Sequence, residues 1–285
     1  MADAKVLLWC PTYDLDGEEQ LRPETKAYIR QASGPGVDAV ISKDNPYVLG
    51  VYANVLHQYQ RAREMALEGG YRALYTVEHD MWPPDDALEM LDAVDAPVVY
   101  GLYMFRHATP LVNAFRDVPS ATPDQSLTLY PDELKRAYRL GIVPVSGAGF
   151  GCTLMRRQAL ERAPFRQADG GNPIPDLPFA QDCMRLGIRQ MCRMDVRCGH
   201  YHRRTWIWPG DQRGGDMVKV LILQNFVASL GSTTQTMRAG DEVEIGEELA
   251  ADYERAGFLR RISEPAVKVI AKPPHKRKAV KADET

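Results

Sequence analysis

The chain has 285 residues, 45% of them hydrophobic and 26% charged, the balance of a globular protein that buries a sizeable core. Its formal net charge of −3 excludes a globally basic nucleic-acid binder, and the length suits one α/β domain with a smaller appendage. No apolar run approaches the roughly 18–20 residues of a membrane helix, and Met1–Lys5 leads into Val6–Cys10 without the flanks of a signal peptide, so a cytoplasmic protein without a membrane span is expected.

Lys5–Cys10 is short, apolar and bounded by Pro11, as a buried first strand is, and Asp38–Ser42 reads as a second strand. From Val48 to Met65 apolar residues recur at helical spacing until Gly69-Gly70 ends the helix. Arg72–Val77 is a third strand, with Glu78-His79-Asp80 at its end. Pro83-Pro84-Asp85-Asp86 then opens a helix with proline and acids in the first turn, and Pro97–Phe105 is a longer β-prone run. This alternation predicts an α/β fold, a mostly parallel sheet flanked by helices. Ligands in such folds bind beyond the C-terminal strand edge, where Pro11-Thr12-Tyr13 and Glu78-His79-Asp80 both fall.

Asp117–Gln125 reads as an exposed loop, and the glycine-rich Ser146–Gly151 leads into Cys152–Arg156. Asp176–Gly187 reads as a helix and Gln190–Cys198 as extended. Met217–Ala228 reads as one or two strands, Gly240–Ile245 as another, and Glu247–Ala256 as a short helix stopped by Gly257. The expected division is a main domain over 1–212, a small α+β module over 213–271 and a basic tail over 272–285 with too few apolar residues to fold. The cysteines, Cys10, Cys152, Cys183, Cys192 and Cys198, are odd in number and sit in apolar segments, which predicts reduced thiols. Cys192 and Cys198 precede His200 and His202, but the close cysteine pairs of structural zinc are absent.

Two carboxylates one residue apart at a strand end suit a hard divalent cation that bridges the phosphates of a nucleotide. An acid-x-acid triplet alone is a weak signal. Its place directly after an apolar strand and before Met81-Trp82-Pro83-Pro84 gives it weight. Gly147-x-Gly149 raises a dinucleotide-binding fingerprint, but the third glycine would fall at Cys152, and the run lies mid-chain.

Glu78-His79-Asp80 with Pro83–Leu88 resembles the acid-x-acid segment of family-2-like glycosyltransferases of the GT-A fold. Further segments are similar to that family in the same order: Pro11–Asp14 to the loop that cradles the base, Ala62-Arg63-Glu64 to the segment near the diphosphate, and Ser146–Gly151 with Leu154–Arg157 to the loop and strand beside the donor sugar. Asp176-Leu177-Pro178-Phe179 looks like the segment of the catalytic base, and Cys198-Gly199-His200 like the late histidine that completes metal coordination. The resemblance covers roughly residues 5 to 202, and collinearity makes it more specific than any single motif.

It implies inverting transfer of a sugar from a nucleoside-diphosphate sugar, such as a UDP-sugar, to an acceptor hydroxyl, with Mn²⁺ or Mg²⁺. The implied metal ligands are Asp80, His200 and Glu78. Because the usual Asp-x-Asp is here Glu78-His79-Asp80, Asp80 is the firmer ligand, with Glu78 at the ribose or a metal-bound water. The implied base is Asp176, with Asp182 as the alternative because Pro175 stands where an acid often precedes. The nucleotide-binding set is Pro11, Thr12, Tyr13, Asp44, Arg63, Glu78, His79, Gly149 and Arg203. Each also has a plainer reading: Asp176 as a helix cap, His200 as a histidine at a strand end, Arg203 in a solvated basic loop. A nucleotidyltransferase or donor hydrolase using the same metal, or a non-catalytic nucleotide-sugar-binding module, are the competing functions. The acceptor is left open among glycan, lipid, protein and nucleic acid, a glycan and a hydroxymethylated DNA base being the candidates named. The closing module resembles appended domains of phage-encoded proteins, and the basic tail Lys272–Lys281 has two readings, a contact for nucleic acid and a plainer solubilising charge run.

Overall fold

A computed structural model describes residues 5–15, 18–47, 51–106, 111–118, 127–129, 131–167, 174–202, 204–209, 217–230, 233–246, 250 and 253–262. The basic tail 272–285 lies outside them. The chain divides into two compact units, Met1–Asp216 with Val227–Thr236, and Met217–Phe226 with Met237–Thr285.

The larger unit is built on a seven-stranded sheet. Its strands are β1 (Val6–Pro11), β2 (Val37–Ser42), β3 (Ala73–Val77), β4 (Val98–Leu102), β5 (Ile142–Pro144), β6 (Cys152–Arg156) and β7 (Gln190–Arg197), in the order β5-β7-β4-β6-β3-β1-β2. β2, β1, β3, β4 and β7 run one way, and β6 runs against β3 and β4 on either side. β5 closes one edge antiparallel to β7. The mostly parallel α/β architecture expected from the alternating pattern is the one the chain adopts.

All six residues of β1 are buried because helices cover both faces of the sheet, so the strand is apolar throughout rather than alternating. Leu7 and Trp9 face one layer with Tyr59, Ala62 and Ala66 of α2 (Val51–Glu68), Leu160 of α3 (Arg157–Arg162) and Phe179 of α4 (Asp176–Arg185). Val6, Leu8 and Cys10 face the other layer with Tyr28 and Ile29 of α1 (Pro23–Ala32), and with Ala87 and Leu91 of a short helix over Ala87–Asp92. All five cysteines are buried free thiols. Among the described residues no helix is long and apolar enough to cross a membrane.

Three helices go beyond the sequence reading, Pro23–Ala32, Pro131–Leu140 and Arg157–Arg162. The β-prone run over 97–105 yields a strand only at Val98–Leu102, because the backbone of Tyr103 turns to Asn113: its N–H donates to Asn113 Oδ1 at 2.9 Å and its carbonyl accepts from Asn113 N at 2.9 Å. The loop expected at Asp117–Gln125 begins with the last residue of a strand over Ala114–Asp117, and residues 119–126 lie outside the described set.

The smaller unit holds a three-stranded antiparallel sheet in which Met217–Ile222 lies between Glu242–Gly246 and Leu259–Arg261. Val220, Ile222 and Leu259 are buried in it. Gly257 adopts φ 76°, a left-handed conformation that ends helical residues 253–255.

Leu154, fully buried on the antiparallel strand at the middle of the large sheet, is expected to be a sensitive packing position. Leu154→Ala should lower unfolding free energy by roughly 2–5 kcal/mol, read as a shifted urea midpoint at unchanged slope.

Candidate active site

Because five strands run the same way, β1, β3, β4 and β7 deliver the segments that follow them to one sheet edge. Antiparallel β6 delivers the glycine-rich segment that precedes it. Glu78-His79-Asp80 forms a tight turn after β3, in which Met81 N donates to the Glu78 carbonyl at 3.1 Å. The next two residues pair with the start of Gly199–His202, Trp82 opposite Gly199 and Met81 opposite His200. This pairing, locked by Tyr201 N on the Asp80 carbonyl at 2.9 Å, sets Asp80 beside His200. Glycine at 199 is required by the close approach, since a Cβ there would stand 2.8 Å from the Trp208 ring.

Asp80 and His200 are both buried, and Asp80 Oδ2 lies 3.5 Å from His200 Nε2. His200 Nδ1 donates to the Met104 carbonyl at 2.7 Å, while Nε2 accepts from Arg106 Nε at 2.9 Å. A ring that donates through Nδ1 and accepts at Nε2 is neutral, with its Nε2 lone pair taken by Arg106 and the Asp80 carboxylate beside it. Arg106 Nη2 stands 2.5 Å from Asp80 Oδ2 in an ion pair, but neither Asp80 oxygen has a well-directed hydrogen bond. Burial opposes the charge on Asp80. The contact with His200 and the surrounding charges, Arg106 among them, outweigh it and hold the carboxyl well below the usual carboxylate range.

Glu78 is directed elsewhere: the Tyr59 hydroxyl donates to its Oε1 at 3.0 Å. Burial, followed by the charge of Asp80, pushes its carboxyl up to about 7. Among the described residues no group of three or more His, Cys, Asp or Glu side chains converges as a metal cage, so Asp80 and His200 are brought together and Glu78 is not joined to them.

Asp176 opens α4 as its first residue, and its Oδ1 accepts the N–H of Leu177 at 2.8 Å. It therefore meets one free N–H from within the first turn, the capping position itself being Pro175, while Oδ2 lies toward Gly149. A Cβ added at Gly149 would lie 3.5 Å from Asp176 Oδ2 and would collide with the Tyr103 hydroxyl, so only glycine lets this segment pass. Burial pushes the Asp176 carboxyl up to about 6, against the opposing hydrogen bond from Leu177. Asp182 is committed elsewhere, to Arg166 through Nε at 2.7 Å and Nη2 at 2.9 Å and to Arg185. Those two guanidinium groups hold it charged despite its burial.

Among the expected nucleotide contacts, Pro11 and Thr12 are buried at the end of β1, and the Thr12 hydroxyl has no hydrogen-bond partner. Tyr13 and His79 meet edge to face with ring centroids 5.2 Å apart. Asp44 is instead paired with His57 Nε2 at 2.8 Å. Arg63 donates to the Leu160 carbonyl at 2.7 Å, which turns it toward α3. Arg203 lies outside the described residues. Three site residues were not anticipated: Tyr59, Tyr103 and Arg106. Arg106 follows β4 by four residues on the edge that carries the acid triplet; its position, rather than any motif, was the available signal.

No protein-family model matches the sequence, and no curated protein matches it. Among solved structures, the A197 protein from STIV is similar at TM-score 0.49 and 16% identity, covering 73% of this chain and 92% of that one. The catalytic domain of Drosophila β1,4-galactosyltransferase 7 in complex with xylobiose is similar at TM-score 0.38 and 15% identity, covering 85% of this chain and 94% of that one. A mutant of the same Drosophila enzyme in complex with manganese, UDP-Gal and xylobiose is similar at TM-score 0.37 and 14% identity, with coverage of 85% and 94%.

The raised Glu78 carboxyl gives a test of this electrostatic picture. A carboxyl raised in the folded state disfavours folding once it must ionise, so stability is lost as pH rises from its unfolded value of 4.5 through about 7. In chelator-treated protein, the melting temperature of Glu78→Gln should gain on wild type between about pH 5 and about pH 8. A constant difference across that range would show that Glu78 ionises without hindrance.

Proposed function

We propose that the chain is an inverting glycosyltransferase that moves a sugar from a nucleoside-diphosphate sugar to an acceptor hydroxyl, with Mn²⁺ or Mg²⁺ held by Asp80 and His200. The observation that carries this reading is the ionised, buried carboxylate of Asp80, which lacks a directed hydrogen bond and lies 3.5 Å from Nε2 of the His200 imidazole. Carboxylate oxygen plus imidazole nitrogen is a donor set suited to manganese, and the carbonyl of Met104 fixes the ring in its ligating tautomer. When bound, the ion supplies electrostatic neutralisation of the departing diphosphate.

The remaining work falls to the chain's own residues. Tyr13 and His79, in edge contact, offer an aromatic wall at the end of β1 for a base. Glu78, oriented by Tyr59, offers an acceptor for a ribose hydroxyl. Asp176 takes the proton of the acceptor hydroxyl as that oxygen bonds to the anomeric carbon and the bond to the diphosphate breaks. A carboxyl raised to about 6 is poised for this: charged at neutral pH, yet more basic than an exposed aspartate. The bonds of Asp182 to two arginines favour Asp176 over it as the base.

The test is a panel of nucleotide sugars screened for metal-dependent binding and slow donor hydrolysis. Asp80→Asn should abolish metal-dependent donor binding. Asp176→Asn should keep binding and lower transfer by about 100-fold or more. Equal loss of binding in both would contradict the division of roles. In wild type, kcat/KM should fall as pH drops through about 6, because the base is then protonated, and a flat acid limb would remove Asp176 from that role.

A further inference from the structure

Arg106 belongs to none of the segments that carry the family resemblance, yet its guanidinium contacts both atoms assigned above to the metal. Nη2 lies 2.5 Å from Asp80 Oδ2, and Nε donates to His200 Nε2 at 2.9 Å. A group using the Nε2 lone pair and the Asp80 carboxylate at once stands as a cation between them, so it and a divalent ion exclude each other. The two partners cannot step aside. Asp80 is fixed by the turn that Met81 closes and by Tyr201 on its carbonyl, and His200 is fixed by Met104. Arg106 is different: its side chain is 40% exposed against 4% for Asp80, so it reaches in from solvent on a long stem and can withdraw to water.

The physical need for such a group is plain. A carboxylate this buried, without a hydrogen bond, is strongly destabilising unless a positive charge stands beside it. In the metal-free protein the positive charge in direct contact with it is Arg106. We propose that Arg106 is a built-in counter-ion that holds the donor atoms of Asp80 and His200 until a divalent ion displaces it, so that metal loading requires the arginine to swing out. The proposal rests on the reading of Asp80 and His200 as metal ligands and adds a competitor to it. A divalent ion then binds the free protein more weakly than the two ligands alone would allow. The metal-free fold in turn depends on Arg106.

The test is direct binding of Mn²⁺ to the full chain without nucleotide, by titration calorimetry and by the electron paramagnetic resonance signal of free Mn²⁺, with melting temperatures recorded in parallel. Arg106→Gln should bind Mn²⁺ about tenfold more tightly than wild type. Its metal-free form should melt lower, and it should gain more on Mn²⁺ addition. Arg106→Lys, which keeps the charge without the two-armed bridge, should bind with intermediate affinity, and it carries the test if Arg106→Gln fails to fold. Wild type binding Mn²⁺ while the Arg106 variants bind equally or more weakly would overturn the counter-ion and leave the metal site standing. Absence of binding in wild type and variants alike would overturn both.

Discussion

A single buried negative charge organises the functional edge of this protein. Asp80 lies almost wholly out of water, and its neighbours can be read by what they do for that charge: the turn that fixes its backbone, the neutral imidazole of His200, the guanidinium of Arg106. An unpaired carboxylate in such a place would count heavily against a folded state that is only marginally stable. The fold tolerates it because positive charge is at hand in the guanidinium of Arg106.

The other carboxylates behave differently because their surroundings differ. Glu78 and Asp176 are pushed upward by burial, whereas Asp182 is held charged by Arg166 and Arg185. The four acids thus fall into two electrostatic states, two raised and two lowered, and the sequence symbols D and E do not distinguish them. Carboxyls so differently perturbed within one region of a fold are set by their surroundings rather than by residue type.

Much of the edge was legible in the sequence because it depends on local pattern. Apolar runs such as Val6–Cys10 are continuous where helices cover both faces, and carboxylates set directly after such runs arrive at the sheet edge whatever the remainder of the chain does. The pairing of His200 with the acid turn came from collinear resemblance, and spacing alone would not have given it. Arg106 was hidden for a physical reason: its role depends on the chain leaving the sheet at Tyr103, a departure imposed by the side chain of Asn113 rather than by propensity. Arg63 shows the opposite failure, a residue named by its segment whose side chain is drawn to the end of α3. Helical pattern places a Cα; it does not choose among the carbonyls within an arginine's reach.

The strand pair that joins Met81-Trp82 to Gly199-His200 has a consequence for synthesis. The strand after the acid turn and the strand that supplies its imidazole are separated by most of the larger unit, so this contact closes a very long loop. While a ribosome is still making the middle of the chain, the acid turn has neither His200 nor the backbone donor of Tyr201. Until residue 202 emerges, the nascent edge carries an aspartate that must stay hydrated, which leaves that edge of the sheet among the last parts to settle.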